Sequence, residues 1–258
     1  MGFVFAIANQ KGGVGKTTTA INLASCISLH RKPTLLIDLD PQGNATTGLG
    51  IDKSLLTHTI YDSFTRGTSL RDLVIPTDLS YLRIIPSNLE LAGAEVELVG
   101  LEGREFLLKN SLRNIRNEYD YIFLDCPPSL GILTLNALTC ANFVLIPVQC
   151  EFYAMEALTK LLKVIERVRE ELNQHLKVSG IILTMADLRT NLSRQVMEEI
   201  RRYFSHLVYR TVIPRNVRLG EAPSFGKPVI MYDRRSSGAR SYWRLAKEVM
   251  RRVQKGSG

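Results

Sequence analysis

Apolar runs long enough to cross a bilayer are missing from this 258-residue chain: none approaches the ~20 residues a spanning helix requires. Cysteine is scarce, at four residues, and no two are spaced C-x-x-C. Cys26, Cys126, Cys140 and Cys150 fall mostly in apolar stretches, so they read as buried, reduced thiols rather than a disulfide or zinc framework. The start of the chain lacks the basic segment, apolar stretch and cleavage site of a secretory signal, and a cytoplasmic protein is expected. Internal repeats, low-complexity tracts and proline-rich linkers are absent too. One domain over residues 1–254 is the simplest partition, with residues 255–258 as a frayed or appended tail. Acidic residues are scarce in one region only. Residues 187–258 hold 16 Lys and Arg against 6 Asp and Glu, a balance of +10, whereas residues 1–186 balance to −2. Thirteen of those sixteen cations are Arg, whose planar fork suits phosphate oxygens. A basic face directed at nucleic acid or an anionic membrane is the inference.

What the chain does have is a rhythm of strands and helices. Continuous apolar, β-branched runs at residues 3–8, 34–40, 82–86, 121–125, 143–148, 178–185 and 208–214 suit strands buried on both faces of a parallel sheet. Helical stretches at 17–29, 104–117, 154–172 and 192–204 lie between several of them, and residues 43–78 are the least regular. The alternation predicts an α/β fold, a doubly wound, mostly parallel sheet flanked by helices, with ligands at the carboxyl ends of the strands.

The first strand runs into Gln10-Lys11-Gly12-Gly13-Val14-Gly15-Lys16-Thr17-Thr18 and then a helix. Strand, glycine loop and helix are the context of a phosphate-binding loop. Its glycines let backbone N–H groups converge on phosphate, and the helix N-terminus favours negative charge. Lys16 is placed to reach the β- and γ-phosphates, and Thr17 to bind Mg²⁺. Gln10 stands where the general pattern has Gly, and a second lysine, Lys11, sits at the loop's mouth. Two further strands end in carboxylates, Asp38 with Asp40 and, separately, Asp125. Acids leaving buried strands beside such a loop can hold Mg²⁺ through a water or hydroxyl, or orient an attacking water.

With the segments Asp38-Leu39-Asp40-Pro41-Gln42-Gly43-Asn44, Asp125-Cys126-Pro127-Pro128-Ser129 and Ile213-Pro214-Arg215-Asn216-Val217-Arg218-Leu219, these motifs resemble the ParA/Soj family of chromosome- and plasmid-partitioning ATPases. That family lies within the deviant Walker A P-loop NTPases, the MinD/ParA group. The similarity runs from about residue 3 to 252, and it is closest to the short chromosomal type. One departure is Gly220, where the family often has Ser. The resemblance implies ATP and Mg²⁺ as cofactors and slow, partner-stimulated hydrolysis. Lys11 would be the signature lysine, reaching the partner subunit's phosphates across an ATP-sandwich homodimer, and Gly12 would lie where the subunits approach most closely. Lys16 and Asp40 would complete the catalytic set, Asp40 by positioning the hydrolytic water. Residues Lys11, Gly12, Gly13, Val14, Gly15, Lys16, Thr17 and Thr18 would hold the phosphates, and Met185, Pro214 and Asn216 would border the adenine. Thr17, with Asp38 and Asp125 behind it, would serve the metal.

The same resemblance gives the basic region a role. Arg189 and Arg218 would contact phosphates of non-specific double-stranded DNA, within a wider patch of Arg201, Arg202, Arg215, Lys227, Arg234 and Arg235. Few aromatics interleave with these cations, which favours duplex backbone over stacked single strands. A ParB-type protein is the implied partner and the nucleoid the implied location, with no membrane involved. The main rival is a MinD-like membrane-associated positioning ATPase, whose mark is a terminal amphipathic helix that inserts in the bilayer. Residues 241–253 carry such a stripe, Tyr242, Leu245, Ala246, Val249 and Val253, which a helix docked on the sheet would also show. An iron–sulfur carrier would need paired cluster cysteines, which this spacing does not offer. A regulator with little turnover is the third alternative, because hydrolysis rate is not legible from the motifs.

Overall fold

The computed structural model describes residues 2–151 and 153–255 of the chain. Seven strands form one sheet: β1 (Phe3–Ile7), β2 (Thr34–Asp38), β3 (Ile75–Pro76), β4 (Leu82–Ile85), β5 (Tyr121–Asp125), β6 (Phe143–Gln149) and β7 (Lys177–Thr184), in the order β3-β4-β2-β5-β1-β6-β7. All neighbours are parallel except the two-residue edge strand β3, which runs antiparallel to β4. β2, β5 and β1 lie side by side, and the register sets Asp38 beside Asp125 and Asp125 beside Ile7. The phosphate-loop strand and the two acid-bearing strands therefore finish together at one end of the sheet.

The helices are α1 (Lys16–Ser28), α2 (Asn44–Gly48), α3 (Ile60–Thr65), α4 (Leu91–Glu97), α5 (Leu107–Leu112), α6 (Ile132–Cys140), α7 (Ala154–Glu171), α8 (Asn191–Tyr203), α9 (Val217–Glu221), α10 (Val229–Tyr232) and α11 (Ser237–Lys255). They bury the sheet from both sides. One core cluster joins residues of β1, β5 and β6 to α5–α8, and a second joins the other face of the sheet to α1, α10 and α11. Strands covered on both faces need no polar alternation, which is why their sequences read as continuous apolar runs. α11 is longer than its predicted span and includes Lys255; residues 256–258 lie outside the described residues. Its stripe of Tyr242, Leu245, Ala246, Val249 and Val253 is at most 1% exposed and packs with Leu23 and Ile27 of α1. That apolar face is consumed by the core.

Two predicted elements are not formed. Residues 208–214 make only isolated parallel bridges, Val208 with Ile181 of β7 and Pro214 with Ala186 just past that strand. Between them the N–H groups of Arg210 and Thr211 turn to the Glu248 carboxylate on α11, at 2.8 and 3.0 Å, so the ladder is interrupted. The close approach to β7 is possible because residue 180 is Gly: a Cβ there would meet Leu207 O at 2.5 Å. The predicted helix over 104–117 is broken into short turns around α5. Asn136 of α6 takes the Leu108 N–H (3.0 Å) and donates to Arg104 O (2.8 Å), so groups that would continue the helix bond elsewhere. The irregular stretch 43–78 holds α2, α3, two 3₁₀ turns and β3.

Candidate functional site

The phosphate loop crosses from β1 to α1 with Gly13 at φ 73° and Gly15 at φ 87°. A side chain disfavours both conformations, and the turn they make aims the N-terminus of α1 at the space above the sheet. The loop is tied down at both ends. Thr184 at the end of β7 donates its hydroxyl to Val14 O (2.8 Å), and Asn9 accepts from the Lys11 N–H (3.0 Å) while donating to Pro147 O (2.7 Å).

Above the loop lies an open cavity of about 670 Å³, bordered by Gly12, Gly13, Gly15, Lys16, Thr17, Thr18 and Asp40, with Pro127–Ser129 on the far wall. Lys16 is 6% exposed and its Nζ donates to Lys11 O at 3.2 Å. Burial pulls its pKa below the usual range, against the opposing charge of Asp125. Asp40 is anchored through Oδ1, which accepts the Gln42 N–H at 2.9 Å.

The other two acids differ sharply. Asp38 has both oxygens committed: Oδ2 accepts from the Thr46 N–H (2.8 Å) and hydroxyl (2.7 Å), Oδ1 from the Asp40 N–H (3.2 Å). It stands behind the site as a fixed brace for α2, and burial lifts its pKa to about 6. Asp125 is fully buried and neither oxygen has a hydrogen-bond partner of standard geometry. Burial, then the Asp38 charge, pushes its carboxyl well above the usual range, while the nearby Thr17 hydroxyl and Lys16 pull it back. Among the described residues no group of three or more His, Cys, Asp or Glu side chains is arranged to hold a metal by itself. A hard cation such as Mg²⁺ keeps several waters, takes phosphate oxygens and needs few protein donors. The Thr17 hydroxyl beside the unpartnered Asp125 carboxylate fits that requirement.

A second cavity of about 200 Å³ adjoins the first, sharing Gly15, Thr18 and Met185, and is bordered by Pro214, Asn216 and Tyr242. The three residues predicted to border a base thus come together on one side of the phosphate loop. Met185 holds the left-handed conformation, φ 49°, at the junction of the two cavities. Such strain in a long side chain persists only where its surroundings enforce it. Asn216 donates to Ser237 Oγ (2.9 Å) and keeps its Oδ1 without a partner. A Cβ at Gly220, also on this wall, would meet nothing within 4 Å, so a Ser there would fit.

One participant was missed from the sequence. Lys11 does not project freely: its Nζ forms an ion pair with Glu151 Oε2 at 2.7 Å. Glu151 follows β6, the neighbour of β1, so it is another acid just past a strand end, the signal that marked Asp125.

Of the predicted basic positions, Arg189 and Arg215 lie close to one carboxylate, Asp187, and both hold its pKa down. Arg189 is exposed but grips Asp187 with two 2.8 Å bonds, holding that carboxyl down to about 2. Arg218 pairs with Glu221 (2.8 Å) and Asp233 (3.5 Å), beside Arg234 and Arg235. Arg215 lines the small cavity. Arg201 and Arg202 lie in the last turn of α8, about 16 Å along its axis from the Arg189 end. Lys227 sits apart, with Leu49 and Thr77.

Comparison with known proteins agrees with this geometry. The AAA domain family matches residues 2–178. Chromosome partitioning protein ParA of Myxococcus xanthus is 53% identical over 252 residues, covering 98% of this chain and 89% of that protein. Sporulation initiation inhibitor protein Soj of Bacillus subtilis is 54% identical over 249 residues, 96% of this chain and 98% of that protein. Among solved structures, cobyrinic acid a,c-diamide synthase from Mycobacterium smegmatis with bound ADP and magnesium superposes with a TM-score of 0.87 at 35% identity, covering 99% of this chain and 97% of that one. With near-complete coverage by such relatives, and a deviant phosphate loop flanked by strand-end acids, the chain belongs to the ParA/Soj family of P-loop partitioning ATPases.

Proposed function

We propose that this protein is a nucleotide-switched partitioning ATPase, in which ATP and Mg²⁺ close a homodimer that binds duplex DNA without sequence preference. The observation that carries this reading is the pair of adjoining cavities around Gly15, Thr18 and Met185. The larger suits a polyphosphate and the smaller a base, with Asn216 on the wall of the smaller. Lys16 holds the β- and γ-phosphates; Thr17 and Asp125 hold Mg²⁺, which neutralises charge on those oxygens when bound. Asp40, at the cavity wall, orients the attacking water. Lys11 leaves Glu151 and reaches the partner subunit's phosphates. The exchange is inexpensive, since an ion pair exposed by 37% and 46% at its two side chains contributes about 0–1 kcal/mol.

Dimer closure doubles the number of phosphate contacts, and so couples nucleotide state to DNA affinity. Arg189 and Arg218 serve the DNA by exchanging carboxylate partners for phosphates. A ParB-type protein stimulates hydrolysis, and the protein acts in the cytoplasm on the nucleoid. The name of the Mycobacterium smegmatis protein denotes another chemistry, but at 35% identity it is more distant than the ParA and Soj relatives at 53% and 54%. The test is binding to a random-sequence duplex over a salt series, with ATP, with ADP and without nucleotide. Tight binding with ATP alone, retained without turnover by Asp40→Ala, is expected. Equal affinity in all three states refutes the switch.

A further inference from the structure

α4 is apolar on two opposite faces, and the core uses one of them. Leu91, Ala94 and Leu98 stand at i, i+3 and i+7, are at most 4% exposed and belong to the core. Turn bonds from the Ala92 N–H to Leu89 O (3.1 Å) and from the Val99 N–H to Val96 O (3.2 Å) continue the winding past both ends. At 3.6 residues per turn, Leu89, Ala92, Val96 and Val99 therefore fall on the face turned away from the core. They are exposed, Leu89 by 70%, Val96 by 76% and Val99 by 66%. A surface helix keeps polar residues on its outer side, so this second apolar stripe is a face without its partner.

The charge beside the stripe is of one sign. Residues 84–103 hold four Glu and no Asp, Lys, Arg or His, in a chain of net charge +8. By the same winding, Glu90 and Glu97 flank the stripe on one side and Glu95 on the other. Among the described residues none of the four Glu pairs with Lys or Arg. Glu97 accepts the Tyr61 hydroxyl (3.0 Å), and Glu95 Oε1 has no hydrogen-bond partner. The nearest cation along the chain, Arg104, donates to Val99 O instead.

We propose that this face docks an amphipathic segment of a protein partner, one with an apolar stripe between rows of Lys or Arg. Charge selects that occupant. Unpaired carboxylates on both sides of the stripe repel DNA and anionic bilayers and attract cations. A second copy pairing through the same face would set Glu against Glu. Anchors at i, i+3, i+7 and i+10 suit a partner helix laid alongside. From Leu89 to Val99 is about 15 Å, which about ten residues of such a helix would cover. The stripe also starts at the phosphate cavity, whose wall includes Leu89 and Ala92. A segment docked on it ends at the rim of that cavity, where it can act on hydrolysis. For that effect the proposal rests on the partner-stimulated reading; for its occupant it rests on the face itself.

The probe is a fluorescein-labelled peptide of about 14 residues, two heptads, with Leu at a and d and Lys elsewhere. The same peptide with Glu in place of Lys is its control. Anisotropy is read with ATP-bound and nucleotide-free protein at about 150 mM salt. Saturable binding of the Lys peptide, at least about tenfold tighter than of the Glu peptide, is expected. Val96→Ser with Val99→Ser should weaken it about tenfold. Glu90→Gln with Glu97→Gln should weaken it and flatten its salt dependence. These four side chains are exposed, and an unchanged melting curve checks the fold of each variant. Equal binding of the two peptides, or unchanged affinity in the valine variant, overturns the proposal. So does a valine variant that keeps the peptide but loses the ATP-dependent dimer in light scattering, which gives the face to a second copy. A phosphate-release assay separates docking from its effect. Turnover raised by the Lys peptide in the parent, and not in the valine variant, supports both. Binding without a rise in turnover refutes the effect on hydrolysis and leaves the docking surface standing.

Discussion

The two ends of the sheet handle charge in opposite ways. At the carboxyl end, Lys16, Asp38, Asp40 and Asp125 are at most 7% exposed, and each is held by burial, a backbone bond or a neighbour of opposite sign. At the amino end, Arg244, Lys247 and Arg251 stand exposed on one helix face, and among the described residues none of them is paired with a carboxylate. Charges that stabilise a reaction must be fixed before the reaction begins, in a setting of low dielectric. Charges exposed to solvent act through water and counterions, and salt screens them. The same side-chain types therefore do different work according to depth.

That contrast can be broken by substitution, and the largest effect should come from the buried end. Lys16→Ala should lower ATP turnover by about 10²–10³-fold, because Lys16 is the buried cation that lines the subunit's own phosphate cavity; a phosphate-release assay reads it. Gly12→Val is more selective. A Cβ at Gly12 meets nothing within 4 Å in the single subunit, so stability should stay within about 0.5 kcal/mol of the parent. The same variant should fail to form an ATP-dependent dimer in light scattering, and a normal dimer would remove Gly12 from the interface.

Asp38 gives a smaller effect with a defined sign. Its folded-state pKa of about 6 lies above the ordinary carboxylate range, so the neutral form is favoured by folding. The stability this adds is complete below about pH 4 and is lost as pH rises through about 6. In nucleotide-free protein, Asp38→Asn should therefore gain on the parent by on the order of 1 kcal/mol between about pH 4.5 and 6.5 in urea denaturation. Arg218→Ala should do least: a uniform loss of DNA affinity with the salt slope reduced by about 1, seen by filter binding. A loss confined to some sequences would mean that Arg218 reads bases.

Much of the buried end was legible in the sequence because its signals are local. Gly13, Gly15, Lys16 and Thr17 are neighbours along the chain, and the acids follow uninterrupted apolar runs. What escaped depends on partners far away. Residues 208–214 have the composition of a strand, but Glu248 on α11 takes two of the N–H groups a strand would need. Residues 104–117 look helical, and Asn136 captures groups in their midst. Lys11 meets Glu151 across 140 residues of sequence. The scattered arginines were countable, but their grouping into separate surfaces follows from which end of α8, α9 or α11 each one occupies.

The bond between Thr19 and Tyr242, 3.1 Å long and 223 residues apart in sequence, carries a consequence for the order of events during synthesis. Thr19 lies on the helix that opens the phosphate loop, and its face is covered by α11. At ribosomal rates of about 5–20 residues per second, the loop's own residues wait roughly 10–45 s for that cover to be translated. A nascent chain thus cannot assemble its finished nucleotide pocket until Tyr242 and the helix that carries it have been made.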